Sequence, residues 1–298
     1  MKFIKEGIYQ INRNIVNSIN LKHTHELKKS ADKVSRLRSR VLYHSSTKSN
    51  PQHMFICFSS ESLVEVSMHT FAESFLITNG IAQYRFYSKR GKPIHDIRMS
   101  PAFMKGSFYA FISQNVPHRF FPLSKHVLAN EVGHSSFSSK NTSFGTKNEY
   151  KNANRVESKE IAIQAVIRSN QTYFLKKKSN LYMFESKSGI AELSYGAIEN
   201  LVLKSKKSFC LIPSPKMLKR KKALEKFFII NGLDKIKIYL ENSIINCIYG
   251  NINIVIGNTK YTTEPLKLFA IGPIKKKTAV IKNLKKDIAI IHVTTEQK

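Results

Sequence analysis

One residue spacing occurs twice in the chain, and it predicts two copies of a single domain. In the first copy, three residues separate His69 from Glu73 and six separate Glu73 from Gly80. In the second copy, Lys221 and Glu225 stand at the same spacing before another glycine, and both copies pass through an apolar segment into Asn-Gly. A chain of 298 residues is long enough for two domains with separate cores. We therefore expect a duplicated unit in which only the first copy keeps metal-binding residue types.

The composition predicts a globular protein of the cytoplasm. Hydrophobic residues make up 42% of the chain, yet no run of about 18 apolar residues occurs, so we expect no membrane span. The first residues lack the long apolar stretch and the small-residue cleavage site of a secretory signal. The three cysteines, at positions 57, 210 and 247, match neither a disulfide framework nor a zinc cluster. We expect them to be reduced thiols.

The net charge of +29 predicts attraction to anions, since 49 lysines and arginines face 20 acidic residues. Nucleic acid, an acidic membrane surface and phosphorylated metabolites are the partner classes that suit such a charge. The abundance of Lys, Asn and Ile together is, however, also typical of proteins from AT-rich genomes. The sequence shows no helix-turn-helix, zinc-finger or RNA-recognition signature. It therefore does not favour nucleic-acid binding, which stays an alternative.

Short apolar segments separated by turn residues predict an all-β fold with two barrels. The apolar spacing of residues 22–42 predicts a short helix before the first barrel. In the second half, Ile190–Tyr195 and Ile198–Leu203 are both predicted strands. The expected organisation is a helical lead-in at residues 1–45, a first barrel at 46–135, a Ser- and Asn-rich linker at 136–159 and a second β domain at 160–298.

Two histidines and one glutamate form a set that suits a divalent metal ion. Alternate residues of a strand face the same side, so Ser67 and His69 point together. Glu73 follows after a short turn, and His118, which stands between a proline and a strand, is the candidate for the third ligand. Such a set suits iron, manganese, nickel or zinc. A histidine in a strand also commonly has only a structural role, so spacing alone leaves both interpretations open.

These residues resemble the motifs of the cupin superfamily. Residues 67–80 match its first motif, His-x-His-x3/4-Glu-x6-Gly, except at Ser67, and His118 stands where the second motif supplies a later histidine. Residues 31–137 are most similar to the WbuC-type cupin-fold metalloproteins. The segments that carry this closer similarity are Arg36–His44, Pro51–Met54, Asn130–Val132 and Phe137.

This resemblance implies a small jelly-roll barrel that binds one metal ion and acts in bacterial surface-polysaccharide synthesis, such as that of lipopolysaccharide O-antigen or capsule. It also implies a pocket beside the metal, lined by Ser67, Arg38, His44, Gln52 and Glu131. The main departure is Ser67, where the family has a histidine, because the loss of one imidazole weakens metal binding or abolishes it. Arg38 and Glu131 are equally consistent with ordinary structural charges.

The second copy carries lysines at the positions of the metal ligands, and a charged lysine has no lone pair for a metal ion. Its basic residues predict either a solvated surface or an anion site formed by Lys219, Lys221, Lys275, Lys276 and Lys277. We therefore expect a bicupin that binds or modifies an anionic sugar or sugar nucleotide, and we also expect a homodimer. The alternative is a binding or scaffold protein without catalysis, built on decayed cupin domains. Whether the chain is an enzyme is left open.

Overall fold

The computed structural model describes residues 2–10, 17–19, 21–44, 46, 48–136, 138, 141–144, 172–178, 180–214, 216–217, 225–240, 243–263, 265, 268–271 and 277–295. The helices in this part of the chain are α1 (Leu21–Ala31), α2 (Tyr195–Ser205) and a 3-10 turn (Ala102–Met104). The strands are β1 (Lys2–Lys5), β2 (Ile8–Gln10), β3 (Asn17–Ile19), β4 (Arg38–Leu42), β5 (Gln52–Ser59), β6 (Ser67–His69), β7 (Glu73–Asn79), β8 (Ala82–Tyr87), β9 (Pro93–Met99), β10 (Ser107–Ile112), β11 (His118–Pro122), β12 (His126–Gly133), β13 (Thr142–Phe144), β14 (Tyr173–Lys178), β15 (Leu181–Glu185), β16 (Ile190–Ser194), β17 (Phe209–Pro213), β18 (Glu225–Ile230), β19 (Lys235–Leu240), β20 (Ser243–Tyr249), β21 (Ile252–Ile256), β22 (Thr259–Thr263), β23 (Leu268–Ile271), β24 (Lys277–Asn283) and β25 (Ala289–Thr295).

The first barrel is built from two groups of strands that face each other. One group has the order β1-β2-β4-β5-β12-β7-β10, and the other has the order β9-β8-β11-β6-β13. A single parallel pairing, Ser107 with Met99, joins β10 to β9. Between the two groups lies an apolar core to which both contribute, and its aromatic members include Phe58, Phe75, Tyr84, Phe86 and Phe120.

The second barrel has the same plan. One sheet has the order β14-β15-β17-β18-β25-β20-β23-β3, and the other has the order β19-β24-β21-β22. Its interior is filled mainly by aliphatic side chains of both sheets, such as Ile245, Ile254, Ile281 and Ile291, each at most 1% exposed. An apolar cluster that includes Phe108 of the first barrel and residues of the second barrel packs the two together.

The chain exchanges strands between the barrels. Strand β16, from the second half, pairs with β10 of the first barrel, and β3, from the first half, pairs with β23 of the second. Strand β3 follows the hairpin β1-β2 and precedes helix α1 and then β4, which pairs in parallel with β2. In the same way, β16 follows the hairpin β14-β15 and precedes α2 and then β17, which pairs in parallel with β15. This shared order of elements supports a duplicated unit, as the sequence predicts.

Helix α1 ends at Ala31, so the prediction of a helix over residues 22–42 is wrong in its second half. Leu27 and Ala31 are buried on one face of the helix. The chain then turns, Leu37 adopts a left-handed backbone with φ +50°, and β4 begins. Along β4, the buried Ser39 and Val41 alternate with half-buried residues, which is the period of a strand.

Helix α2 replaces the predicted strand at residues 198–203. Ser194 caps its first turn, because its side-chain oxygen accepts a hydrogen bond from the backbone N–H of Ala197 at 3.2 Å. Ile198 and Leu201 stand three residues apart and are both buried, the spacing of one helical face. Neither α-helix, nor any other helix in the described part of the chain, is long and apolar enough to span a membrane.

Strand β13 lies inside the predicted linker at residues 136–159. It pairs with β6 through Thr142 and His69, so this part of the segment belongs to the sheet of the first barrel. Residues 145–159 of the predicted linker lie outside the described residues. The division into domains at this segment stays a prediction.

Candidate metal centre and ligand cavity

Three strands of the first barrel bring His69, Glu73 and His118 together. His69 ends β6 and Glu73 begins β7 after a short turn. His118 begins β11, where it stands opposite Ser67 in the antiparallel pairing with β6. One ligand atom from each of the three residues lies within 4.8 Å of the other two. The structure therefore brings together the three residues that the sequence predicts as metal ligands.

Both imidazoles turn the same nitrogen toward the carboxylate. Nε2 of His118 lies 2.5 Å from Oε1 of Glu73, and Nε2 of His69 lies 3.3 Å from Oε2. The hydroxyl of Ser67 lies 3.3 Å from Nε2 of His118. Glu73 and His118 are only 2% and 4% exposed, so this carboxylate and imidazole are removed from bulk water.

The other ring nitrogen of each histidine has a partner of its own. Nδ1 of His118 lies 2.9 Å from the carbonyl oxygen of Val116, which can only accept, so Nδ1 carries the proton. Nδ1 of His69 lies 2.9 Å from the hydroxyl of Thr142. Such outer partners fix the orientation of metal-ligating histidines and leave Nε2 for the ion. The arrangement of these residues fits a divalent cation.

The charges of the cluster are strongly coupled. Burial alone would raise the pKa of Glu73, but His69 and His118 outweigh burial and lower this pKa to about 2. Burial lowers the pKa of His69, whereas for His118 the nearby Glu73 carboxylate outweighs burial and raises the pKa. The glutamate is therefore a carboxylate at neutral pH, the form that binds a cation.

A cavity of about 600 Å³ adjoins the cluster. Its lining combines apolar and charged residues. The lining includes Ile56, Phe58, Phe75, Tyr84, Phe120, Arg36, Arg38, Arg40, Arg119, Glu65 and Glu131, together with Ser67 and the three clustered residues. This volume lies in the range typical of small-molecule pockets.

Among the predicted pocket residues, Arg38, Ser67 and Glu131 line the cavity, whereas His44 and Gln52 do not. Nδ1 of His44 lies 3.0 Å from the carbonyl oxygen of His53. The side-chain amide of Gln52 donates to backbone carbonyls of the loop before β5, one of them Ser49 at 2.7 Å. These two residues therefore hold the loop before β5, and their assignment to the pocket is corrected.

Glu131 is the titratable wall residue of the cavity. Burial and the neighbouring carboxylate of Glu73 raise its pKa to about 7, although Arg40 and Arg38 oppose this rise. Glu131 therefore exchanges a proton near neutral pH, as a residue that takes up or releases protons at a site must. Burial also raises the pKa of Tyr84 well above its usual value, so its hydroxyl stays protonated.

The sequence prediction missed Arg40, Thr142 and Tyr84. Arg40 stands two residues after Arg38 on β4, and the alternation of a strand would have placed both on one face. Thr142 comes from the segment interpreted as a linker, so only its pairing with His69 across the sheet reveals its role. No local signal in the sequence distinguishes Tyr84 from the other core aromatics.

The second barrel has other residues at the positions of the cluster. Strand β20 pairs with β25 and β23, as β7 pairs with β12 and β10, and each strand leads into a glycine of positive φ, Gly250 at +84° and Gly80 at +82°. Counting back from these glycines places Ser243 at the position of Glu73. Pairing with β21 places Ala279 at the position of His118. Both Ser243 and Ala279 are fully buried.

The spacing-based alignment of Lys219, Lys221 and Glu225 with the first motif is therefore wrong. Glu225 begins β18. This strand pairs with β25 as β5 pairs with β12, so β18 corresponds to β5 and not to β7. Glu225 therefore lies before the strands that correspond to β6 and β7. The predicted anion-site residues Lys219, Lys221, Lys275 and Lys276 lie outside the described residues, and Lys277 begins β24. That anion site stays a prediction.

Glu225 is a fully buried carboxylate between the barrels. It accepts hydrogen bonds from the hydroxyls of Ser74 at 2.7 Å and Tyr109 at 3.0 Å. Nε2 of His134 and Nε2 of His292 each lie 2.7 Å from its oxygens. Burial would raise the pKa of Glu225, but the two histidines lower it below the usual range. Since His292 belongs to β25 and the other three partners to the first barrel, this carboxylate links the barrels.

Comparison with known proteins identifies the fold. Residues 19–99 match the model of DUF6016, described as a domain of unknown function, and no curated protein sequence matches the chain. Salicylate 1,2-dioxygenase from Pseudaminobacter salicylatoxidans has a TM-score of 0.60 and 8% identity, over 94% of this chain and 84% of that chain. A mutant of this dioxygenase in complex with gentisate has a TM-score of 0.59 and 9% identity, over 94% of this chain and 81% of that chain.

A mutant of oxalate decarboxylase from Bacillus subtilis gives a lower TM-score of 0.46 at 14% identity, over 87% of this chain and 72% of that chain. The similarity to the dioxygenase shows that the two chains share a fold of two β-barrels. The predicted fold class, two jelly-roll barrels preceded by a short helix, is thereby confirmed. At this identity, the similarity shows the fold alone.

Proposed function

We propose that the first barrel binds one divalent metal ion through His69, Glu73 and His118 and a small-molecule ligand in the adjoining cavity. The observation that carries this proposal is the shared orientation of the two imidazoles. Both direct Nε2 at the Glu73 carboxylate while Nδ1 is held by Val116 or Thr142. A divalent ion bound there would neutralise the negative charge of the buried Glu73 carboxylate. Iron, manganese, nickel and zinc all suit this donor set.

The ion supplies Lewis-acid chemistry to an oxygen-containing ligand. The residues of the chain determine what reaches it. Ser67 places a hydroxyl beside His118, in a position to donate to a ligand oxygen. Glu131 places a carboxyl group at the cavity wall, where it accepts or releases a proton. Phe75 and Phe120 give the cavity apolar surface for the body of a ligand.

The ligand that we propose is an anionic sugar derivative of bacterial surface-polysaccharide synthesis, handled in the cytoplasm. The similarity of β4 and its flanking residues to WbuC-type proteins supports this setting, because Arg38 and Arg40 of that segment line the cavity. The gentisate complex of the structurally similar dioxygenase supports a small organic ligand. A sugar nucleotide and a homodimer are further parts of this proposal.

A non-catalytic binding protein is the second candidate, and one observation favours it. Ser67 replaces a histidine of the motif, and the second barrel has Ser243 and Ala279 at the ligand positions. A chain that has lost ligands in both barrels is consistent with binding that involves no turnover. Ligand-dependent thermal shifts without product formation, measured with nucleotide sugars, would favour this candidate over an enzyme.

Metal content tests the proposal directly. The full chain is purified without metal, incubated in turn with ferrous, manganous, nickel and zinc ions, desalted and measured by mass spectrometry of the elements. We expect one equivalent of at least one metal in the wild type and substoichiometric metal in His69→Ala and His118→Ala. The control is His126→Ala, because that histidine of the same barrel pairs with Asp32 at 2.9 Å outside the cavity. Equal metal content in His118→Ala and wild type would refute the site.

A further inference from the structure

The arginines of β4 line the cavity without a direct ion pair to a described carboxylate, although Glu131, and for Arg38 also Glu65, attract them from a longer distance. Arg38 stands opposite Phe58 and Arg40 opposite Ile56 in the pairing with β5, and all four side chains line the cavity. The intervening Ser39 is buried on the other face, where its hydroxyl donates to the backbone carbonyl of Leu27 in α1 at 2.7 Å. The alternation of the strand therefore directs both guanidinium groups to the cavity.

Neither guanidinium is paired with a carboxylate in the described part of the chain. Nε of Arg38 is buried and has no hydrogen-bond partner there. Nη1 of Arg40 donates to the sulfur of Met54 at 3.8 Å. Elsewhere in the barrel, by contrast, Nε of Arg85 lies 3.2 Å from the carboxylate of Asp96.

Burying a guanidinium group without a hydrogen-bonded anion costs free energy. Burial lowers the pKa of Arg38 to about 10, which still leaves it cationic at neutral pH. The group loses hydration, and the attraction of Glu131 and Glu65 offsets this loss without supplying a hydrogen bond to Nε. Two arginines two residues apart on a strand are about 7 Å apart along it, and planar guanidinium groups match carboxylate and phosphate oxygens. The missing partner is therefore expected to be an anion from solution.

We propose that Arg38 and Arg40 form a subsite for the anionic group of a compact organic ligand whose other end faces the His69, Glu73 and His118 cluster. This subsite deepens the proposed function and rests on it for the role of the cluster. Between the arginines and the cluster, the apolar wall of Phe58 and Phe75 contacts the body of the ligand. The volume of about 600 Å³ suits a single sugar ring bearing a carboxylate or a phosphate, and it does not suit a polysaccharide chain.

Binding of three matched hexose probes tests the subsite. Glucuronate and glucose 1-phosphate carry the two anionic groups, and glucose carries neither. Their dissociation constants are measured by calorimetry on the metal-loaded full chain and on Arg38→Gln, Arg40→Gln and Arg90→Gln. The control Arg90 lies in the exposed turn between β8 and β9, away from the cavity.

We expect at least one anionic probe to bind more tightly than glucose, and the probe that binds identifies a carboxylate or a phosphate as the anion. Arg38→Gln and Arg40→Gln should weaken that binding by about tenfold or more, the effect of losing charge-assisted hydrogen bonds, whereas Arg90→Gln should leave it within about twofold. Binding of glucose as tight as that of both anions, no binding of any probe, or full binding in the two β4 variants would overturn the subsite.

Thermal unfolding without ligand separates this role from a structural one. If Arg38 serves an external anion, Arg38→Gln removes a buried charge that has no direct ion pair and should leave the melting temperature unchanged or raise it. A marked fall in the melting temperature would show that the arginine stabilises the fold, which contradicts the proposal. Metal content distinguishes the two proposals, because stoichiometric metal without anion binding overturns the subsite alone. Absent metal with intact anion binding overturns the metal centre alone.

Discussion

Replacement of Glu225 by glutamine is expected to destabilise the contact between the two barrels. The carboxylate is fully buried and accepts from Ser74, Tyr109, His134 and His292 at 2.7 to 3.0 Å. A glutamine has the same shape, but its amide nitrogen can only donate, so it faces at least one N–H or O–H donor instead of accepting from it. The variant therefore loses a charge-assisted hydrogen bond and leaves a buried donor without a partner.

The expected cost follows from these contacts. Breaking a buried ion pair by removing one partner costs about 3–5 kcal/mol. Because the four contacts share one carboxylate, their separate contributions are not additive. We therefore expect Glu225→Gln to lower the free energy of unfolding by about 3–5 kcal/mol in urea titrations at pH 7. The control is Glu199→Gln on the exposed face of α2, for which a change within about 0.5 kcal/mol is expected.

The dependence on pH gives an independent check. The partners of Glu225 hold its pKa below the usual range in the folded protein, whereas the unfolded value is about 4.3. A depressed carboxylate pKa contributes stability that is complete above the unfolded value and is lost as the pH falls below it. The difference between wild type and Glu225→Gln should thus be smaller at pH 3 than at pH 5. A change below about 1 kcal/mol at pH 7, or an undiminished difference at pH 3, would refute the reasoning.

Three further predictions concern other parts of the chain. Thr142→Val removes the hydroxyl beside Nδ1 of His69 and should weaken metal binding about 10–100-fold in competition titrations; unchanged affinity would contradict the orienting role. Gly80→Ala places a Cβ at φ +82° against a backbone carbonyl of β12, and it should lower the free energy of unfolding in urea by about 1–3 kcal/mol. The control is Gly196→Ala in helix α2, where the space around the glycine is open. This variant should raise the free energy of unfolding by up to about 1 kcal/mol. Burial raises the pKa of the Cys57 thiol to about 12, so iodoacetamide should label it only after unfolding, as peptide mapping can show.

The candidate metal centre was largely predictable because its geometry is local. Ser67 and His69 share a face through the alternation of one strand, and a short turn returns Glu73 to the same centre. His118 is distant in sequence, and it was predicted from its place between a proline and a strand and from its match to the second motif. What the sequence did not predict is the partner of His69, since Thr142 lies on a strand in a segment rich in polar residues.

The error in the first helix has a definite physical cause. Apolar residues at positions 34, 37 and 41 continue the spacing of α1, so periodicity alone extends the helix to residue 42. Val41 fits this helical spacing, but it lies on β4, where buried and half-buried residues alternate. Leu37 breaks the helical path with its left-handed backbone. The same error concealed the shared direction of Arg38 and Arg40. Residues two positions apart face different sides of a helix, whereas on a strand they face the same side.

The second motif shows that spacing without strand order does not establish equivalence. Glu225 repeats the distance from a glutamate to a glycine, yet it opens β18 and binds between the barrels. The equivalent position in the fold is Ser243, which a sequence motif cannot reveal once the carboxylate is lost. Around Ser243 and Ala279 the interior is filled by isoleucines, so this barrel has a packed core at the place where the first barrel has its cluster. It supplies β16 to the first barrel, and its Glu225 accepts hydrogen bonds from Ser74 and Tyr109 of that barrel. These contacts explain how a barrel without the cluster still supports the one that has it.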